Sequence, residues 1–139
     1  TDVDQDAAIR LIKDCKEHGV GRFVMISALG ADPNSESARI QHYLRAKGVA
    51  DGYLRSSGLD YTILAPGTLL DEKGTGRIQA AEELGFHGFL PREDLAVCII
   101  ETLRNFYTLG KTIEIVSGAD KIKDAIVEVA GGGDLPPIL

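Results

Sequence analysis

The 139-residue chain has no tryptophan, one methionine, two cysteines and only 6% aromatic residues. The two cysteines, Cys15 and Cys98, fall on apolar positions of predicted helices and read as buried free thiols in a reducing compartment. No Cys/His spacing resembles a metal site. No apolar run approaches the roughly 18 residues needed to span a bilayer, and no basic-then-apolar signal peptide opens the chain. A membrane partner is therefore not expected, and a cytoplasmic location is. Positive charge is also in deficit: 15 Lys and Arg against 21 Asp and Glu leave a net charge of -6, which argues against a nucleic-acid partner.

What is present is ordinary core material. The chain is 44% hydrophobic and 26% charged, which fits one globular domain. Residues 4–18 read as a helix with Ala8, Leu11, Ile12 and Cys15 as its inner stripe and Gly19 as its stop. Arg22 to Ser27 is a short buried strand, and 28–35 a loop. Residues 36–57 form a long helix ended by Ser57-Gly58. Tyr61 to Ala65 is a second buried strand, stopped by Pro66-Gly67. From 68 to 90 the pattern is weak, with a turn at Gly74-Thr75-Gly76 and a short strand at Arg77 to Ala81. Residues 92–105 form a third helix, with Glu93 and Asp94 in its first turn and Leu95, Cys98, Ile99, Leu103 and Phe106 inward. Lys111 to Ser117 alternates like a strand, 121–130 is a last helix, and 131–139 is a flexible tail. Alternating helices and strands predict an α/β fold: a doubly wound parallel sheet with ligands at the carboxyl ends of its strands.

Lys47 is the anomaly. At about 100° per residue it falls within the stripe formed by Ile40, Tyr43, Leu44, Ala50 and Leu54. An ammonium there needs a polar partner or an open cleft. Tyr43 lies one turn away on the same face. Ser27 and Pro66-Gly67, at the ends of the two predicted strands, complete a set of groups expected to line one crevice. A plainer reading of Lys47 pairs it at the surface with Asp51, one turn on. His42 and His87 read as solvated or packed side chains, and Asp94 as a first-turn residue rather than a catalytic acid.

The segments RFVMISALGAD, YLRAK, SGLDYTILAPG, PREDLA and GKTIEIVSG, in that order, closely resemble the atypical branch of the short-chain dehydrogenase/reductase superfamily, NAD(P)-binding Rossmann proteins that include epimerase/dehydratase-like members. The similarity runs from residue 3 to about 130. It implies that Lys47 holds the nicotinamide ribose hydroxyls and lowers the phenol pKa of Tyr43. It implies that Tyr43 exchanges a proton with substrate, that Pro66 and Gly67 pack against the nicotinamide, and that Ser27 is the site's serine. Ala28 stands at the second of two positions where the family carries serine, a departure that bears on turnover. Ala65 replaces a common arginine, and Gly48 and Gly52 stand where larger residues are usual.

The family's G-x-G-x-x-G turn, which holds the pyrophosphate at a helix N-terminus, has no counterpart here; Gly131 to Gly133 follow a helix. The expectation is therefore a partial Rossmann-like domain. Residues 1–130 would be its C-terminal portion, lacking the glycine-rich half, with one sheet edge uncovered and a possible homo-oligomer through that edge or a helix face. The resemblance implies an NAD(P)-dependent oxidoreductase or epimerase acting on a small-molecule substrate. The alternatives are a non-catalytic NAD(P)-binding sensor or scaffold, and a chain inactive on its own.

Overall fold

A computed structural model describes residues 3–30 and 41–131, without the side chains of residues 3, 4 and 41–43. The elements run α1 (Val3–Glu17), β1 (Phe23–Ile26), α2 (Gln41–Arg55), β2 (Tyr61–Pro66), β3 (Thr68–Leu70), β4 (Arg77–Ala81), β5 (Phe89–Pro91), α3 (Arg92–Leu103), β6 (Thr112–Ser117), β7 (Asp120–Lys121) and α4 (Ile122–Val129), with a 3₁₀ turn at Phe106–Thr108. The main sheet has the order β1-β2-β6-β4-β7, and β3 pairs with β5 in a small second sheet. Residues 36–40, part of the predicted second helix, and the predicted tail from 132 lie outside the described residues.

β1, β2 and β6 are parallel, as expected, but β4 runs antiparallel to both β6 and β7. The reason is chain length. A parallel return needs a crossover of about a dozen residues or more, usually a helix, and only the short β3 and a turn separate β2 from β4. The mostly parallel sheet is packed on both faces, and β2 shows how. Its successive side chains point to opposite sides. Ile63 joins Ile12, Met25, Ala50 and Leu54 under α1 and α2, while Leu64 joins Ile78, Leu95, Cys98, Ile113 and Ile126 under α3 and α4. That two-sided core is the doubly wound arrangement.

Three expected core residues face outward instead. Leu11, Leu103 and Phe106 are each about half exposed. In α1, Ile12 takes the buried position. In α3 the inner face is Leu95, Cys98 and Thr102, and a second apolar stripe of Val97, Ile100 and Leu103 faces solvent. Helical periodicity finds apolar stripes but does not say which of two meets the sheet. Of the two thiols expected to be buried, Cys15 is only partly so and Cys98 fully; burial pushes the Cys98 pKa up to about 12, with Asp94 and Glu101 adding to the shift, so it stays protonated and unreactive.

Two polar clamps hold the ends of the elements. Before β1, Arg22 Nη2 donates to Thr108 Oγ1 at 2.8 Å, Thr62 Oγ1 at 3.0 Å and the Thr102 carbonyl at 3.2 Å. Burial draws this guanidinium below its ordinary value, with Asp60 acting the other way. At the N-terminus of α3, Asp94 accepts from the backbone N–H of Thr75 and of Gly76, both at 3.0 Å, and Glu93 from that of Gly74 at 2.6 Å. Asp94 is thus a first-turn residue, as expected, and it also orders the turn that leads into β4.

Candidate functional site

The carboxyl ends of parallel β1 and β2 open into a cleft of about 370 Å³ lined by Ser27, Ala28, Leu29, Leu44, Pro66, Gly67, Thr68, Leu69, His87 and Arg92. Its floor is two strand ends still zipped together: the Ser27 N–H donates to the Leu64 carbonyl at 2.7 Å, and the Leu29 N–H to that of Pro66 at 2.8 Å. The structure thus brings Ser27, Pro66 and Gly67 into one crevice.

One wall is α2. Leu44, Ala50 and Leu54 are buried, as the wheel requires. Lys47 is half-buried, and its Nζ donates to the carbonyl of Ile26, the residue before Ser27, at 3.3 Å. Tyr43 lies in the first turn of α2, one turn before Lys47; its side chain and that of His42 lie outside the described ones.

Asp51 meets the Lys47 charge from a buried position and not at the surface. Asp51 is only 3% exposed, and its Oδ2 accepts a 2.5 Å hydrogen bond from Ser27 Oγ. Asp51 Oδ1 is also buried and has no hydrogen-bond partner among the described residues. Burial raises the Asp51 pKa, opposed by the Ser27 hydrogen bond and the charges of Arg55 and Lys47. Sequence reasoning missed this residue. The available signal was its spacing: Lys47, Asp51 and Leu54 follow one another at three and four residues, so Asp51 shares the stripe that made Lys47 anomalous.

The raised pKa has a consequence for stability. Just above the ordinary carboxylate value of about 3.9, the unfolded chain has released this proton while the folded chain still holds it. The folded state binds more protons, so stability falls as pH rises from there through the folded pKa. Asp51→Asn removes that slope. Urea midpoints followed from pH 4 to 7 are expected to decline less in the variant than in the parent, whereas parallel curves would contradict the burial-driven shift.

The opposite wall was not read from the sequence. His87 Nε2 lies 2.9 Å from Thr68 Oγ1, and its ring meets Phe89 edge-on at 6.2 Å. Arg92 pairs with Asp71 at 2.8 Å. Except for Arg92, the first residue of α3, these residues come from the stretch between β2 and α3, where the short strands β3 and β5 carry no clear period-2 signal. Gly67 and Gly88 make the approach of that stretch possible. The Thr68 N–H donates to the Gly88 carbonyl at 2.9 Å, and a Cβ on Gly67 would fall on that carbonyl. A Cβ on Gly88 would lie 2.8 Å from Val116 Cγ1. Among the described residues there is no cluster of His, Cys, Asp and Glu able to hold a metal ion and no helix long and apolar enough to cross a membrane.

Residues 1–106 match the family model described as NAD(P)H-binding. A Bacillus subtilis protein described as an uncharacterized sugar epimerase is 37% identical over 125 residues, which cover 89% of this chain and 58% of that protein. A Bacillus halodurans structure with the provisional name of NAD-dependent epimerase/dehydratase superimposes with a TM-score of 0.86 at 34% identity, covering 91% of this chain and 60% of that one. The anaerobillin reductase ChuY of Escherichia coli O157:H7 superimposes with a TM-score of 0.77 at 29% identity, covering 87% and 62%. The chain thus spans about three fifths of the length of these relatives.

Proposed function

We propose that this chain, which belongs to the NAD(P)H-binding family and resembles the atypical short-chain dehydrogenase/reductases, forms the nicotinamide side of an oxidoreductase or epimerase site for a small-molecule substrate. One observation carries the reading: Ser27, Pro66 and Gly67 line the cleft where the parallel strands finish, the place at which this class of sheet binds ligands, and the Lys47 ammonium donates to the carbonyl just before Ser27. The donor set suits a nicotinamide ribose. Lys47, braced on the Ile26 carbonyl, would position the ribose hydroxyls; Pro66 and Gly67 would lie along the nicotinamide; Ser27 would offer a polar contact beside it. When bound, the cofactor supplies hydride transfer to or from a carbonyl or alcohol carbon. Tyr43 would hold and move the proton, its phenol brought toward neutral pH by the Lys47 cation.

Among the described residues there is no glycine-rich turn from a strand into a helix. We therefore take residues 1–130 as the C-terminal portion of an NAD(P)-binding Rossmann domain, a reading supported by the chain's three-fifths coverage of its relatives. Fluorescence titration tests both ideas. A longer natural protein carrying this chain is expected to bind NADPH or NADH at micromolar concentrations, and residues 1–139 alone weakly or not at all. Micromolar binding by the isolated 139 residues would overturn the partition of the site, and no binding by the longer protein would overturn the cofactor reading. In that protein Lys47→Ala is expected to weaken dinucleotide binding by about tenfold, the loss of a charge-assisted hydrogen bond of roughly 1.5 kcal/mol; unchanged affinity would return Lys47 to a purely structural role.

A second reading, a dinucleotide-binding sensor without turnover, is favoured by Ala28. It lines the cleft where a second hydroxyl is common in the resembling family. Turnover of carbonyl substrates by the whole protein separates the two.

A further inference from the structure

We propose that Asp51 fixes the polarity of Ser27, so that Ser27 presents lone pairs rather than a proton to the cleft and accepts a hydrogen bond from a hydroxyl or amide N–H of the bound cofactor or substrate. The inference rests on the cleft being the nicotinamide side.

A serine hydroxyl has one proton to donate and two lone pairs to accept with. The backbone of Ser27 is held by its own N–H to Leu64 and by the Leu29 N–H to Pro66, so only the direction of its hydroxyl proton remains to be set. Ser27 donates that proton to Asp51 Oδ2, the two oxygens 2.5 Å apart, the short distance of a hydroxyl bonded to a carboxylate. Asp51 is buried, its other oxygen has no partner among the described residues, and it stands on the same helix face as Lys47. A buried carboxylate with an orphaned oxygen is costly, and here its one hydrogen bond runs to a residue of the cleft wall.

Ser27, 4% exposed but lining the cleft, is left with acceptor capacity alone. It does not act as the donor that polarises a substrate carbonyl, the role usually sought for a serine in such a site. Asp51 touches no ligand and is a positioning residue. A ligand with a donor at this point, such as a ribose hydroxyl, a carboxamide or a substrate alcohol, is favoured over one presenting a bare carbonyl.

Two measurements test this. Proton NMR of the chain is expected to show a downfield, slowly exchanging hydroxyl resonance assigned to Ser27, lost in Ser27→Ala and moved upfield in Asp51→Asn. Its absence from the parent overturns the proposal whatever the cofactor does. NADPH titration of the whole natural protein then completes a double-mutant cycle. Ser27→Ala and Asp51→Asn are each expected to weaken binding by roughly three- to tenfold, and Asp51→Asn to add nothing on the Ser27→Ala background. If the two losses multiply, Asp51 acts through the fold and not through Ser27, and the proposal fails while the cofactor reading stands. If the parent binds no NADPH although the resonance is present, the cofactor reading fails and the acceptor role falls with it.

Discussion

Tyr43→Phe is expected to lower turnover by roughly 10²- to 10⁴-fold, the usual worth of a positioned general acid or base, while dinucleotide affinity changes by no more than about twofold. Residue 43 stands in the first turn of α2, and Lys47, one turn on, reaches the end of β1. That places the residue proposed to transfer the proton and the residue proposed to position the cofactor on one helix. Phenylalanine keeps the ring and removes only the hydroxyl. The measurement is kcat and dinucleotide Kd for the whole protein, side by side. Unchanged kcat would remove Tyr43 from the chemistry; loss of both would mean that the ring, not the hydroxyl, is what matters.

Gly67→Ala is expected to cost about 3 kcal/mol of stability, the upper part of the range for overpacking. The obstacle is the Gly88 carbonyl, which is backbone, and behind it stands Val116. Gly67 is not among the glycines with positive φ, so the cost is steric rather than conformational. Gly52→Ala is the matched control. It lies inside α2 with nothing within 4 Å of an added Cβ, and helix propensity predicts a gain of up to about 1 kcal/mol. Urea denaturation of the two variants is expected to move the midpoint in opposite directions. A Gly67→Ala midpoint equal to that of the parent would show that β2 and the 88 region can separate freely.

The legible parts of this fold were those in which one local signal sufficed. Buried strands β1 and β2 are short apolar runs with breakers after them, and α2 announced its inner face through Leu44, Ala50 and Leu54. The strand ends then located Ser27 and Pro66-Gly67 without knowledge of any contact. What stayed hidden depended on pairing at long range. β3 and β5 are three residues each and exist because they pair with one another across the turn that Glu93 and Asp94 hold. His87 and Arg92 reach the cleft only through that arrangement. Asp51 was visible by position, but a carboxylate four residues after a lysine also reads as a surface ion pair, and only its burial against Ser27 separates the two readings.

The strand order also governs when the sheet can assemble. β6 occupies the place between β2 and β4, yet it is the last long strand to be made. Until residues 112–117 leave the ribosome, β2 has a partner on one side alone, and β4 has no neighbour in the main sheet. These pairings span many residues and close slowly, so the nascent chain must carry the apolar, half-paired β2 until β6 has been made. In refolding β6 is present from the start, but it must still close pairings distant in sequence, and that docking is where aggregation competes with folding.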